Sequence, residues 1–310
     1  MGDLFTLPVL LGIIYSGIRF ATPYLFAAIG ETFSQRSGVL NLGVDGMMLM
    51  GAYSGFFVAV KTNNLWLGLL AAALTGGLMG LLMAVISVTF QATQGISGIG
   101  LHILGLGLST LLFTTTMGGV GTIGGFPPVR IPLLGEIPYI GDIFFNHNIL
   151  VYFAFLLVPV SNWILYKTTF GLQVRAVGQS PEAADTLGVS VKGIRYITVT
   201  LGGILAGIAG ASISIALINV FQENITNGMG FIAVALVYFG AWRPTGVLFG
   251  SLLFSFVNAL QQWVQLKGIP IPAGMAVMLP YILTIVVLAF SSRRISKPAA
   301  LTKKFERGES

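Results

Sequence analysis

Cysteine is absent from all 310 residues, which excludes disulfides, thiolate metal sites and thiol nucleophiles. Charge is almost as scarce: sixteen Lys and Arg with ten Asp and Glu make up 8% of the chain. So little polar surface cannot cover a water-soluble domain, and soluble enzymes fall away with it. Histidine occurs twice, at His102 and His147, far apart and without a carboxylate at ligand spacing, so neither a metal centre nor a catalytic residue is expected. The chain has no G-x-x-x-x-G-K-[ST] phosphate loop and no Gly-Lys pair, hence no recognisable means of hydrolysing ATP and no cofactor of its own. Energy for any work must come from elsewhere.

What remains is hydrocarbon. With 55% hydrophobic residues and a mean hydropathy of +0.89, the chain reads as an all-α polytopic membrane protein, a single domain over 1–310. Crossing a bilayer takes about twenty apolar residues, and the length leaves room for about 8–10 transmembrane helices. The period-2 alternation of a barrel is missing. The expected spans are 5–29, 38–60, 65–90, 95–117, 148–166, 196–219, 228–242, 244–265 and 275–291; the seventh is short and reads as a broken helix. Asp3 takes the place of a basic leader region, so the first apolar run is expected to be a retained span. Forty-one glycines, many at four-residue spacing (Gly51/Gly55, Gly76/Gly80, Gly203/Gly207, Gly246/Gly250), suit closely packed membrane helices.

The main polar island is Lys167 to Arg195, which holds six of the charged side chains. Within it Ser180-Pro181-Glu182 reads as a helix start, with a capping hydroxyl, a proline for the first turn and an acid at the positive dipole end. Gly188 is a natural stop. Two turns are too short to stand alone, so support from a partner is expected. Placing this loop, 167–195, in the cytoplasm puts Arg36, Arg243, the loop's four cations and the six of a basic tail at 292–310 on that side, twelve of sixteen in all. That asymmetry follows the positive-inside rule and argues for membrane topology, not nucleic-acid binding. The tail itself reads as stop-transfer charge lying near anionic headgroups. On the other side a Gly/Pro-rich loop, 118–147, carries only Arg130, Glu136 and Asp142, and is either a resting place for a delivering protein or filler.

Two further patterns concern a permeation path. Ser251, Ser255, Asn258, Gln262 and Gln265 recur along one helical face, and amides there both donate and accept, which suits a neutral solute bearing hydroxyls or a base. The same spacing also glues helices together. Asp45, one turn after Asn41, is the one acid near mid-span, and a charge at that depth must meet a partner or a wet path. His102 shares a face with Gly105 and Ser109. Asn41, Asp45, His102, Asn258 and Gln262 are therefore the candidate path residues. A weak echo links Asn41-Leu-Gly-Val-Asp-Gly-Met with Asn227-Gly-Met-Gly-Phe-Ile-Ala, in spans of opposite sense, as inverted repeats require.

Three blocks in order carry a resemblance. They are Gly30-Glu-Thr-Phe-Ser-Gln-Arg-Ser-Gly-Val-Leu-Asn-Leu-Gly-Val-Asp-Gly-Met-Met-Leu-Met-Gly-Ala52, Arg175-Ala-Val-Gly-Gln-Ser-Pro-Glu-Ala-Ala-Asp-Thr-Leu-Gly-Val189 and Gly228-Met-Gly-Phe-Ile-Ala-Val-Ala-Leu-Val-Tyr-Phe-Gly240. Together they resemble the ABC importer permeases for branched-chain amino acids and simple sugars, most of all the nucleoside and simple-sugar branch. Gln35 and Asp45 stand where that family commonly has Glu. The resemblance implies a type II-like importer fold and a bacterial or archaeal plasma-membrane location. Implied partners are two ATP-binding subunits, a second permease, homologous or identical, and an extracytoplasmic solute-binding protein or lipoprotein. By position Glu182, Ala183, Ala184, Asp185 and Gly188 would form the helix that couples to the ATPase. The implied cargo is a nucleoside, with ribose, galactose or branched-chain amino acids as alternatives. An ion-gradient-driven transporter is the competing class, and it requires buried coupling acids.

Overall fold

The computed structural model describes residues 7–119, 121–132, 134–137, 140–266, 297–306 and the single positions 278, 282, 285 and 286. Among these residues eleven α-helices and one small hairpin follow in the order α1 (Leu7–Arg36), α2 (Val44–Thr62), α3 (Leu65–Ala84), α4 (Gln94–Thr116), β1 (Pro128–Arg130), α5 (Ile140–Phe144), β2 (Asn146–Asn148), α6 (Ile149–Lys167), α7 (Thr169–Gln179), α8 (Pro181–Thr186), α9 (Val191–Ser212), α10 (Met229–Phe239) and α11 (Pro244–Leu266). A π turn prolongs α3 over Val85–Thr89, and another prolongs α9 over Ile213–Leu217. Among the described residues α1, α3, α4, α6, α9 and α11 are long and apolar enough to cross a bilayer.

Two expected crossings differ from that set. Helix α2 has the length, 19 residues, but is enclosed by protein over most of it, so its sequence answers to neighbouring helices and carries Asp45 and Ser54 in place of lipid-facing hydrocarbon. Helix α10 has 11 residues, about 16 Å at 1.5 Å per residue, roughly half of the hydrocarbon thickness. The ninth expected span, 275–291, lies outside the described residues except for 278, 282, 285 and 286, which are helical.

Helix α9 is the centre of the bundle, packed on α1, α2 and α3. Its apolar stretch is 78% buried, against 28% for α4. The glycine spacing explains how three helices crowd so closely around it. A methyl group placed on Gly207 would sit 2.1 Å from the Ala72 carbonyl oxygen, and one on Gly76 would sit 2.3 Å from the Gly203 carbonyl oxygen. Backbone therefore lies on backbone, the arrangement that small residues permit between membrane helices. Large aliphatic side chains point outward instead, among them Leu70, Leu74 and Leu78 on α3 and Ile96, Ile103 and Leu111 on α4, as a lipid-facing surface requires.

One end of the bundle carries Arg36, Lys167, Arg175, Lys192, Arg195 and Arg243; we term it the basic end. At the opposite, far end, β1 and β2 pair antiparallel with Val129 across from His147. Tyr15 on α1 donates to the Asn146 carbonyl (3.3 Å), Asn148 Nδ2 donates to the Ala216 carbonyl (3.1 Å), and Thr122 bridges Val220. The far loop is thus tied to α1 and α9. At the basic end the described part of the tail, 297–306, is folded onto the protein, with Pro298, Ala300 and Phe305 buried. Several of its backbone groups bond to the protein, while Lys297, Lys303 and Lys304 are exposed.

Candidate functional site

Between α1 and α2 the chain turns sharply at Gly38 (φ +96°) and re-enters the bundle before α2 begins at Val44. Between α9 and α10 it descends irregularly from the far end through 218–228, and α10 starts in the interior. The first turns of α2 and α10 therefore meet inside the protein. A methyl on Gly230 would lie 2.3 Å from the Asp45 amide nitrogen, so the two segments that echo one another in sequence touch backbone to backbone.

Asp45 holds this junction. Its Oδ1 accepts the Gly230 amide at 2.8 Å, and its Oδ2 accepts the Thr226 hydroxyl at 3.1 Å. His102 Nδ1 lies 3.4 Å from the same oxygen, and its ring stands edge-on to Phe231. Asp45 is fully buried, 0% exposed, and sits in the first turn of α2 while bonding the first turn of α10, so one carboxylate answers the positive ends of two helices. Asp45 and His102 are brought together as neighbours. Asn41 is placed differently: its Oδ1 accepts the Gly43 amide at 2.9 Å, which fixes the turn entering α2.

Sequence reasoning missed the acid beside that turn. Glu31 is buried, and its Oε1 accepts both the Asn41 amide and Gln35 Nε2 at 3.0 Å. Gln35 Oε1 in turn accepts the indole N–H of Trp242 at 2.7 Å. Arg36 Nε donates to the Trp242 carbonyl at 2.8 Å, and Trp242 is itself left-handed (φ +55°). The signal available was Glu31 with Gln35 four residues on, which places acid and amide on one helical face.

Above the junction, toward the far end, α1, α11 and the 218–228 segment enclose a polar hollow. Two adjoining cavities of about 270 and 510 Å³ share Ile225, Met229, Asn258 and Gln262. Thr226, Asn227 and Gln261 add polar groups to the first, with Tyr24 and Phe254 in its wall; Arg19 borders the second. Asn258 and Gln262 are therefore brought to one cavity, while Asn41, Asp45 and His102 are not among its lining residues. Asp45 reaches it only from beneath, through Thr226. Ser251 and Ser255, from the same stripe, are fully buried between helices instead. Among the described residues no carboxylate lines either cavity.

At the basic end α7 and α8 form an elbow. Pro181 opens α8, and Gly188 (φ +82°) ends it. Ser180 does not cap the helix as expected: its hydroxyl points at Glu182 Oε2, 3.5 Å away, and its carbonyl accepts the Ala184 amide. Support for this short helix comes from the chain itself, since Pro181 and Ala184 are buried against the elbow. Glu182 and Ala183 face outward, Asp185 is half-buried, and Leu187 is 84% exposed beside Gly188.

Interrupted helices meeting head to head beside a neutral polar hollow, within an apolar bundle, define a multi-pass membrane permease. Residues 13–288 match the family described as branched-chain amino acid transport system / permease component, and the chain belongs to that family. It is 38% identical to TsgC13 of Haloferax volcanii, provisionally named a glucose ABC transporter permease protein, over 96% of this chain and 98% of the other. It is 36% identical to the nucleoside ABC transporter permease protein NupC of Lactococcus lactis, and likewise 36% identical to the guanosine ABC transporter permease protein NupQ of Bacillus subtilis. Both matches cover 93% of this chain and 94% of the relative. Each of the three organisms also has a second matching permease, at 25%, 23% and 24% identity.

Proposed function

We propose that this chain is the membrane subunit of an ATP-driven importer that passes a neutral solute of the nucleoside class inward. The observation that carries this reading is the lining of the hollow: Asn227, Asn258, Gln261 and Gln262 offer paired donors and acceptors, with aromatic and aliphatic walls and no acid. Such groups match hydroxyls and base edges and give no counter-charge to a cationic solute. Two relatives named for nucleosides and guanosine support the choice. A monosaccharide is the second reading, supported by the name of TsgC13 and by the same amides.

Work enters at the basic end, which we place in the cytoplasm. Glu182, Ala183, Ala184, Asp185 and Gly188 form the contact for separate ATP-binding subunits, with Leu187 as its exposed apolar tip. A solute-binding protein delivers cargo to the far end, over the hairpin and the 118–147 loop. The second permease is homologous but not identical, which the paired relatives of two similarity levels in three organisms support.

Asn258→Leu combined with Gln262→Leu tests the path in vesicles holding the whole transporter. Uptake of labelled nucleoside falls while the purified complex keeps its composition. Unchanged uptake kinetics would remove these amides from the path. A thermal-shift series on the cognate binding protein, with nucleosides against glucose and ribose, decides between the two solute classes.

A further inference from the structure

The described tail segment, 297–306, lies across the basic end and bonds to four separate segments there. The Ala300 amide donates to the Gly178 carbonyl (2.9 Å), three residues before the start of α8. The Thr302 amide donates to the Gly38 carbonyl (3.0 Å) at the re-entrant turn. The Phe305 carbonyl accepts Gln91 Nε2 (3.1 Å) between α3 and α4, and the Lys303 carbonyl accepts Arg195 Nη1 (3.2 Å) on α9. Arg195 is buried and spends its Nε on the Ser37 carbonyl (3.2 Å), so one guanidinium clamps the tail and the α1–α2 turn at once.

On the tail side these hydrogen bonds use backbone groups, while the side chains of Pro298, Ala300 and Phe305 are buried. Ala300 is 1% exposed, with its carbonyl at the place where a methyl on Gly38 would press, while Lys297, Lys303 and Lys304 face away. A tail serving only as stop-transfer charge has no need of a fitted seat. The tail lies where α7 meets the α1–α2 turn, since Gly178 abuts the Arg36 carbonyl there, and it bonds both sides of that contact.

We propose that 297–306, clamped by Arg195, is a coupling strap that positions the α7–α8 elbow on the re-entrant turn. Displacement of α8 is then delivered to residues 37–43, and through Asn41 and the start of α2 to the Asp45 junction beneath the hollow. Two discrete seats of a packed element are the means by which such coupling travels. The inference rests on α8 as the ATPase contact, a reading that Gly188→Pro tests separately by loss of the co-purified ATPase.

The test compares the complete transporter with two variants: a chain ending at Ser296, and Ala300→Leu, whose larger side chain does not fit the buried seat. Uptake and ATP hydrolysis are measured in the same vesicles. The ATPase stays bound to both variants, hydrolysis continues, and solute moved per ATP falls by about fivefold or more, the lower end of ordinary two-site coupling. An unchanged ratio in assembled variants overturns the strap. So does failure of both variants to assemble, which would make the segment a folding element. Because the chain has no cysteine, Ala300→Cys reports the seat directly: maleimide labelling is slow in the resting complex and accelerates during turnover. Fast labelling at rest also refutes the proposal.

Discussion

Asp45 is the residue on which the interior junction depends, and replacing it separates a structural role from a role in the path. Asp45→Ala removes the acceptor of the Gly230 amide at 2.8 Å and of the Thr226 hydroxyl at 3.1 Å, both in a site closed to water. Hydrogen bonds to a charged group contribute about 1.5–3 kcal/mol each, so losing two costs about 3–6 kcal/mol. The first turn of α10 also loses the negative charge at its positive end. Asp45→Asn keeps one oxygen for Gly230, and its amide can donate to the Thr226 oxygen, so the cost falls to about 1 kcal/mol. Thermal unfolding of the purified complex reads the difference, and nucleoside uptake reads the path. Asp45→Ala yields little folded protein with a clearly lowered midpoint; Asp45→Asn yields folded protein whose uptake KM is unchanged, since no atom of Asp45 lines the hollow. Should Asp45→Asn raise KM about tenfold, worth 1.4 kcal/mol of binding, at unaltered stability, the carboxylate belongs to the path and the reasoning fails. Wild-type stability in Asp45→Ala would fail it too.

Three further perturbations check the packing, the elbow and the far end. Gly207→Ala forces a methyl to 2.1 Å from the Ala72 oxygen and costs about 1–3 kcal/mol of overpacking, whereas Gly107→Ala, with nothing within 4 Å, leaves the melting midpoint unmoved; equal behaviour of the two contradicts the close α3–α9 approach. At Gly188 (φ +82°) alanine is strained by about 1–2 kcal/mol and weakens ATPase co-purification, while proline, fixed near −65°, abolishes it without preventing membrane insertion. His147 stacks on Tyr15 and donates from Nε2 to the Ile143 carbonyl, and burial, with a smaller push from Arg19, holds its pKa below the usual 6.5 despite that hydrogen bond. The unfolded chain then binds the proton more readily, so stability is full above pH 6.5 and declines as pH falls toward the folded pKa; melts from pH 8 to 5 show a slope that His147→Asn reduces, and an identical slope in the variant refutes the assignment.

The crossings were legible in the sequence because hydrocarbon cost is local: each stretch of apolar residues answers to lipid by itself, and observed ends such as Leu65, Gln94 and Ile149 fall within one residue of the expected ones. The glycine pairs were legible as packing signals for the same reason, though not their partners. What stayed hidden depends on contact between distant segments. Asp45 stood out as an expensive charge, yet its true neighbours, Thr226 and Gly230, lie some 180 positions away. Glu31 was overlooked because one of its donors is the Asn41 backbone amide ten residues on, and because Gln35, its other donor, is held by Trp242, which is apolar by composition and polar only through its indole N–H. The tail read as surface charge since it carries six cations, whereas its seat is made by backbone groups and by Pro298, Ala300 and Phe305, which the charge count does not register.

The stripe on α11 shows why helical periodicity alone could not assign the path. Ser251, Ser255, Asn258 and Gln262 share one face, but that face passes from a close helix contact into open space as α1 and the 218–228 segment diverge around it. Serine fits the narrow part, where a short side chain lets helices approach; the longer amides occupy the wide part, where their donors and acceptors meet solute or water. The divergence exists because α10 is only half a crossing long, and its shortness is stabilised by Asp45 satisfying its first turn. A polar hollow and an acid that does not line it are thus two consequences of one interrupted helix. Any substitution that extended α10 toward the far end, by making 218–228 helical, would close the cavity and leave the acid without its partners.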